Sequence, residues 1–249
     1  MKIIEVTNYQ EMSKAAADYI ISKVQKSPNL ILGLATGGTP VGTYKYLVED
    51  HKKNKTSYKD VTTFNLDEYV GLAKENPQSY HSYMNEHFFN HIDINPANTH
   101  IPNGKIESIK DEPAAYEELI KESGGIDLQI LGIGQNGHIG FNEPGTPFSS
   151  NSHIIELAPS TIEANARYFE SPEEVPTKAN TMGINTIMRS KEILLLVSGE
   201  NKRQALTQLL EGKISESFPA SALLNHPNVV IIADEAARSG RTGSEKHDQ

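Results

Sequence analysis

Short runs of apolar, often β-branched residues alternate along this chain with longer stretches in which apolar positions recur every three or four residues. The runs KIIEV (2–6), LILGLA (30–35), VTTFNLD (61–67), IDLQILGIG (126–134), KEILLLVSG (191–199) and NVVIIAD (228–234) predict strands. Between them, YQEMSKAAADYIISKVQ (9–25) predicts a helix with Tyr9, Met12, Ala16, Tyr19 and Ile20 on one face. Further helices are predicted through VGTYKYLVEDHKK (41–53), around SYHSYMNEHFF (79–89), in EPAAYEELIKES (112–123) and from Lys202 to Leu210. Strands that are apolar along most of their length, separated by helices, imply a mostly parallel sheet covered on both faces. The expected fold is a single α/β domain over residues 1–249, Rossmann-like and doubly wound.

Composition narrows the classes of function. A formal net charge of -9 is opposed to a nucleic-acid-binding surface, which needs a basic patch. The chain has no cysteine, which removes thiolate catalysis, disulfides and cysteine-ligated zinc. The N-terminal stretch lacks an apolar signal core, and no apolar run has the length of a membrane span, so a cytoplasmic protein is expected. There is no internal repeat, and the polar tail from Arg238 to Gln249 reads as frayed.

Ligands of such sheets collect at the carboxyl ends of the strands, and three marked segments fall there. In GLATGGTP (33–40), the small residues Thr36, Gly37, Gly38 and Thr39 lead through Pro40 into a helix. Backbone N–H groups and a helix N-terminus together suit an anion, although a tight turn with threonine caps would read the same way. In FNLDEYVGL (64–72), Asp67 and Glu68 follow a strand, and alternation allows at most one of them to enter a shared pocket. A carboxylate there is a candidate general base; an exposed acidic turn is the plainer reading of this segment alone. In GIGQNGHIGFNEPG (132–145), five glycines surround His138, with Glu143 close by as a second carboxylate. Glycine at that density lets the backbone pass close to a neighbour, and a carboxylate partner can fix the tautomer of a histidine. Metal is not expected: His138 and Glu143 are too few ligands, and His87 and His91, four apart on a predicted helix, lack an evident third.

Taken in order, GLATGGTP, FNLDEYVGL, SYHSYM, LGIGQNGHIGFNEPG and ENKRQAL closely resemble the glucosamine-6-phosphate deaminase family, from about Leu30 to Glu235. The resemblance implies a cytoplasmic hydrolase of amino-sugar catabolism that needs no cofactor. It would convert glucosamine 6-phosphate and water to fructose 6-phosphate and ammonia. It implies that His138 moves the proton of ring opening, oriented by Glu143, and that Asp67 carries a proton from C2 to C1. Thr36, Gly37, Gly38 and Thr39 would then hold the phosphate, assisted by Arg167 and Lys202. Some members carry aspartate two residues before the histidine; Asn136 stands there in this chain and is read as an orienting residue without charge.

Two rivals stand beside this reading. A 6-phosphogluconolactonase on the same fold would leave an aspartate base beside C2 without a task. A silent sugar-phosphate sensor with a DNA-binding appendage is disfavoured because Met1 nearly abuts the first strand. A lid is expected between about 149 and 182, where APSTIEANARYF (158–169) reads as a short helix bearing Arg167. Regulated hexamers of the family bind an activating amino-sugar phosphate through two cations, and His153 and Ile155 occupy those positions here. An unregulated monomer or small homo-oligomer is therefore expected.

Overall fold

The computed structural model describes residues 1–239. In chain order its elements are β1 (Lys2–Glu5), α1 (Tyr9–Lys26), β2 (Ile31–Leu34), α2 (Val41–Asn54), β3 (Thr62–Asn65), β4 (Asp67–Tyr69), α3 (Tyr80–His87), β5 (Thr99–His100) and α4 (Glu112–Glu122). They continue with β6 (Leu128–Leu131), β7 (His153–Glu156), α5 (Pro159–Asn165), β8 (Lys178–Thr181), α6 (Ile184–Met188), β9 (Glu192–Val197), α7 (Arg203–Leu210), β10 (Val229–Ala233) and α8 (Glu235–Arg238).

Seven strands form one wholly parallel sheet in the order β1-β10-β9-β6-β2-β3-β5. One face buries Met12 and Ile20 of α1, Leu47 of α2 and Met84 of α3. The other buries Ile120 of α4, Ile187 of α6 and Leu206 and Leu209 of α7. Apolar side chains leave both faces of β6, β9 and β10, whose residues are all buried, so neither face can be left to water. The strand order runs outward in both directions from the β2–β6 pair, which makes the carboxyl ends of these two strands the switch point of the sheet.

The run 61–67, read as one strand, is two. It breaks at Leu66, and β4 leaves the main sheet to join an antiparallel one in the order β4-β8-β7. Leu66 still bridges the two sheets: its N–H donates to Leu34 O at 3.1 Å, and Met182 N–H donates to Leu66 O at 2.8 Å. The helix read from Lys202 begins as a 3₁₀ turn over Glu200–Lys202 and becomes α-helical at Arg203. Arg238, read as the start of the tail, closes α8, and its guanidinium reaches Val6 O at 2.8 Å and Ala233 O at 3.1 Å. The rest of that tail, 240–249, lies outside the described residues.

Candidate active site

Strands β3, β2, β6 and β9 are neighbours; the first three end beneath the three marked segments and β9 beneath ENKRQAL. Their carboxyl ends open on a cavity of about 690 Å³, lined by Thr36 to Thr39, Asp67, His138 and Lys202 among others. Motifs separated by up to 166 residues in the chain thus converge because their strands are adjacent.

The loop after β2 is shaped from outside the cavity. The Tyr83 hydroxyl of α3 donates to Gly37 O at 2.5 Å. The Tyr9 hydroxyl reaches Gly38 O at 2.9 Å and Thr39 O at 3.0 Å, and accepts from Gly42 N–H at 2.9 Å. With its carbonyls held by these tyrosines, the loop keeps the amides of Gly37, Gly38 and Thr39 free of protein acceptors among the described residues. Gly37 has φ +87°, which lets consecutive amides turn to one side, and α2 begins directly after. The result is an anion cradle.

Asp67 and Glu68 part company at β4. Asp67 faces the cavity and is buried, with no hydrogen bond from the protein among the described residues. Burial, and secondarily the charge of Glu68, push its carboxyl up to about 8. Glu68 turns away and receives the backbone N–H groups of Tyr69, Tyr80 and His81. Tyr80, whose hydroxyl is pushed well above its usual range by burial, lies against Asp67, Tyr69 and Thr36.

The glycine-rich segment after β6 passes close to two rings. A Cβ on Gly134 would fall 2.0 Å from the His138 imidazole, and one on Gly137 would fall 2.3 Å from the Phe218 ring. His138 Nδ1 lies 2.8 Å from Asn136 Oδ1, and Asn136 Nδ2 donates to Glu143 Oε2 at 2.7 Å. Since a carbonyl oxygen can only accept, Nδ1 carries the proton and Nε2 is left as the acceptor. Glu143 Oε1 is 3.8 Å from Nδ1, so the carboxylate addresses the imidazole chiefly through the amide. Burial lowers the His138 pKa, Glu143 pulls it up and Lys202 pushes it down. Lys202 is itself lowered by burial.

Of the residues read from the sequence, Thr36, Gly37, Gly38, Thr39, Asp67, His138 and Lys202 line the cavity, while Asn136 and Glu143 stand behind His138. Arg167 does not line it: its guanidinium lies 4.7 Å from the centroid of the Tyr168 ring, whereas Asn165, Tyr168 and Phe169 face the cavity. His87 packs on Tyr83 at 4.5 Å, and His91 Nε2 is bonded to Glu86 O at 2.7 Å. Sequence reasoning gave no role to Tyr9, Tyr80 and Tyr83. The signal for the last two was present as aromatic residues three apart in SYHSYM, which places them on one helix face.

The family model described as glucosamine-6-phosphate isomerases/6-phosphogluconolactonase matches residues 7–232. A glucosamine-6-phosphate deaminase of Geobacillus sp. (strain WCH70) is 57% identical over 239 residues, covering 96% of this chain and 95% of that protein. Glucosamine-6-phosphate deaminase 1 of Bacillus subtilis (strain 168) is 51% identical, covering 97% of this chain and all of that one. A solved structure described as a monomeric glucosamine-6-phosphate deaminase superposes with a TM-score of 0.91 at 51% identity, covering 95% of this chain and 98% of that one. A 6-phosphogluconolactonase from Trypanosoma cruzi shares the fold, with a TM-score of 0.77 at 19% identity, covering 97% of each chain. The chain belongs to the glucosamine-6-phosphate isomerase/6-phosphogluconolactonase family, and within it to the glucosamine-6-phosphate deaminases.

Proposed function

We infer that this chain converts glucosamine 6-phosphate and water to fructose 6-phosphate and ammonia. The observation that carries the reading is the pairing, across one cavity, of a largely buried carboxyl with an imidazole whose free nitrogen is an acceptor. The anion cradle between them anchors the substrate's phosphate, with Lys202 as the nearby cation.

The chemistry follows from these positions. His138 Nε2 accepts the C1 hydroxyl proton as the ring opens and returns it to the ring oxygen, giving the free aldehyde. The C2 proton, now acidified by the C1 carbonyl, passes to Asp67 and leaves an enolamine. Asp67 returns that proton to C1, which yields a C2 imine. Water adds to this imine and ammonia departs, leaving the C2 ketone of fructose 6-phosphate. One base suffices for both transfers because C1 and C2 are adjacent. A lactonase reading would leave Asp67 idle, since ester hydrolysis takes no proton from carbon. The deciding experiment follows ammonia and fructose 6-phosphate together from glucosamine 6-phosphate. Equimolar release of both is expected, and no ammonia would overturn the reading.

Within the segment 149–182 proposed as a lid, β7 and β8 are strands paired in the small sheet. The Leu157 N–H donates to Thr177 O at 2.8 Å and closes the neck of an excursion over 158–176 that carries α5, Arg167 and Tyr168. We place the moving part in that excursion, with closure bringing Arg167 from Tyr168 onto the phosphate. Hydrogen exchange over 158–176 is expected to slow when a substrate analogue binds, and unchanged exchange would remove the lid. The protein is proposed to act in the cytoplasm as a monomer or small homo-oligomer, and the structural relative described as monomeric favours the monomer.

A further inference from the structure

Among the described residues none donates a hydrogen bond to the Asp67 carboxyl, so its direction is inherited from the backbone of β4. Yet β4 has only three residues and stands at the edge of its sheet, with a ladder to β8 on one side. Something else must fix it. The side chain of Glu68 is turned to the opposite side of the strand and is 3% exposed. Its Oε1 accepts from Tyr69 N–H at 2.9 Å and Tyr80 N–H at 3.0 Å, and its Oε2 accepts from His81 N–H at 3.2 Å. The His81 Nδ1 lies 2.9 Å from the same Oε2. Tyr80 and His81 open α3, whose first amides have no partner within the helix and whose dipole favours an anion.

The same helix turn reaches two other parts of the site. Tyr80 lines the cavity beside Asp67, and Tyr83, one turn further on, holds Gly37 O of the anion cradle. We propose that Glu68, clamped by His81 and the first turn of α3, is the positioning residue of the general base. It fixes Asp67 relative to the phosphate cradle so that the carboxyl meets both C1 and C2 of an anchored substrate. The inference rests on the deaminase reading. It deepens that reading by assigning a task to the second carboxylate of the DEY segment.

The fixed charge of Glu68 also helps to raise the Asp67 carboxyl, which gives a readout that a simple helix cap would not move. The other titratable groups facing Asp67 are Tyr69 of β4, Tyr80 of α3 and Tyr116 of α4, all pushed upward by burial and neutral across the working range.

The test is Glu68→Gln in the full chain, compared with wild type in kcat, KM and the pH profile of kcat/KM on glucosamine 6-phosphate. The amide keeps the size of the side chain and removes the charge. We expect kcat to fall by about tenfold or more with KM within about threefold. We expect the acidic limb of kcat/KM to move down by roughly half a unit or more. A folded variant with wild-type kcat, or with an unmoved limb, overturns the proposal. His81→Phe keeps a ring and the Glu68 charge but removes one donor; kcat should fall several-fold, by about three to ten, while the limb stays. Should Glu68→Gln not fold, an unchanged kcat in His81→Phe overturns the proposal by itself. Wild type run alongside separates the two readings. An inactive wild type sinks the deaminase function, whereas an active one matched by Glu68→Gln sinks only the positioning role.

Discussion

Asp67 and His138 face one cavity, yet they are held in opposite ways. The carboxyl is buried and unbonded, and its charge is opposed by burial and by the neighbouring Glu68. The imidazole is half-buried, bonded through Asn136 to Glu143 and set beside Lys202. The difference matches two kinds of proton. A C–H proton is lost only to a strong base, and a largely buried carboxylate without protein donors is stronger than an exposed one. An O–H proton moves readily, so ring opening asks for a correctly oriented tautomer near neutrality more than for strength. One side of the site therefore tunes basicity by withholding partners, and the other tunes geometry by supplying them.

The comparison breaks most visibly at Asp67. Replacement by asparagine keeps the shape and removes the base, so turnover and solvent deuterium exchange at C2 should fall by about 10²–10⁴. Exchange at the wild-type rate would remove Asp67 from its role. The same substitution should stabilise the fold. The folded pKa is raised from 3.8 to about 8, so the stability this group contributes is whole below about pH 4 and is lost as pH rises towards 8. Asparagine escapes that loss. At pH 8 the variant should therefore have a Tm higher by several degrees, with the advantage shrinking towards pH 4. In wild type, kcat/KM should climb with pH up to the region of 8, as Asp67 becomes the carboxylate.

On the opposite wall, His138→Gln should cost about 10²-fold on the closed-ring substrate. An open-chain analogue, which needs no ring opening, should lose no more than a few-fold. Equal losses on both would place the histidine in a later step or make it a support for its loop.

The two walls also differed in how far they could be read from the amino-acid order. The strands of the main sheet that end under the site were legible because β2, β6 and β9 are apolar on both faces and bounded by glycine. The break at Leu66 was not: VTTFNLD carries no glycine or proline, and the chain changes sheets at one residue bonded to both. The strands β7 and β8 were missed for a related reason. The segment KANT has no apolar alternation, and its partner HIIE was absorbed into a presumed lid. The general base was legible as one of two adjacent acids, and period-two alternation gave the correct limit of one in the cavity. The partners of Glu68 were not legible: beyond the adjacent Tyr69 N–H they lie twelve and thirteen residues onward, and all but the His81 ring are backbone amides that any sequence could supply. Tyr9 illustrates the same limit: helical spacing placed it in the core stripe, whereas it is 36% exposed and spends its hydroxyl on the cradle.

The smallest expected effect is none. Addition of N-acetylglucosamine 6-phosphate should leave the substrate curve hyperbolic and unshifted. The positions that would carry two activating cations are His153 and Ile155 of β7. The His153 Nδ1 is bonded to Asn151 O at 2.7 Å, and Ile155 presents only carbon. Neither supplies the fixed positive charge on which a phosphate dianion depends. A guanidinium near this stretch, Arg189, is paired with Glu117 and reaches Asn151 Oδ1 at 3.3 Å, so an incoming phosphate would have to displace a carboxylate to use it. β7 also pairs with β8, which pairs with β4, so an anion seated there would have a short mechanical route to Asp67. The route exists, but His153 and Ile155 do not supply the charge to drive it, and coupling needs a ligand that binds one state better than another. A sigmoidal curve made hyperbolic by the added phosphate would show that an effector site has been rebuilt from other residues.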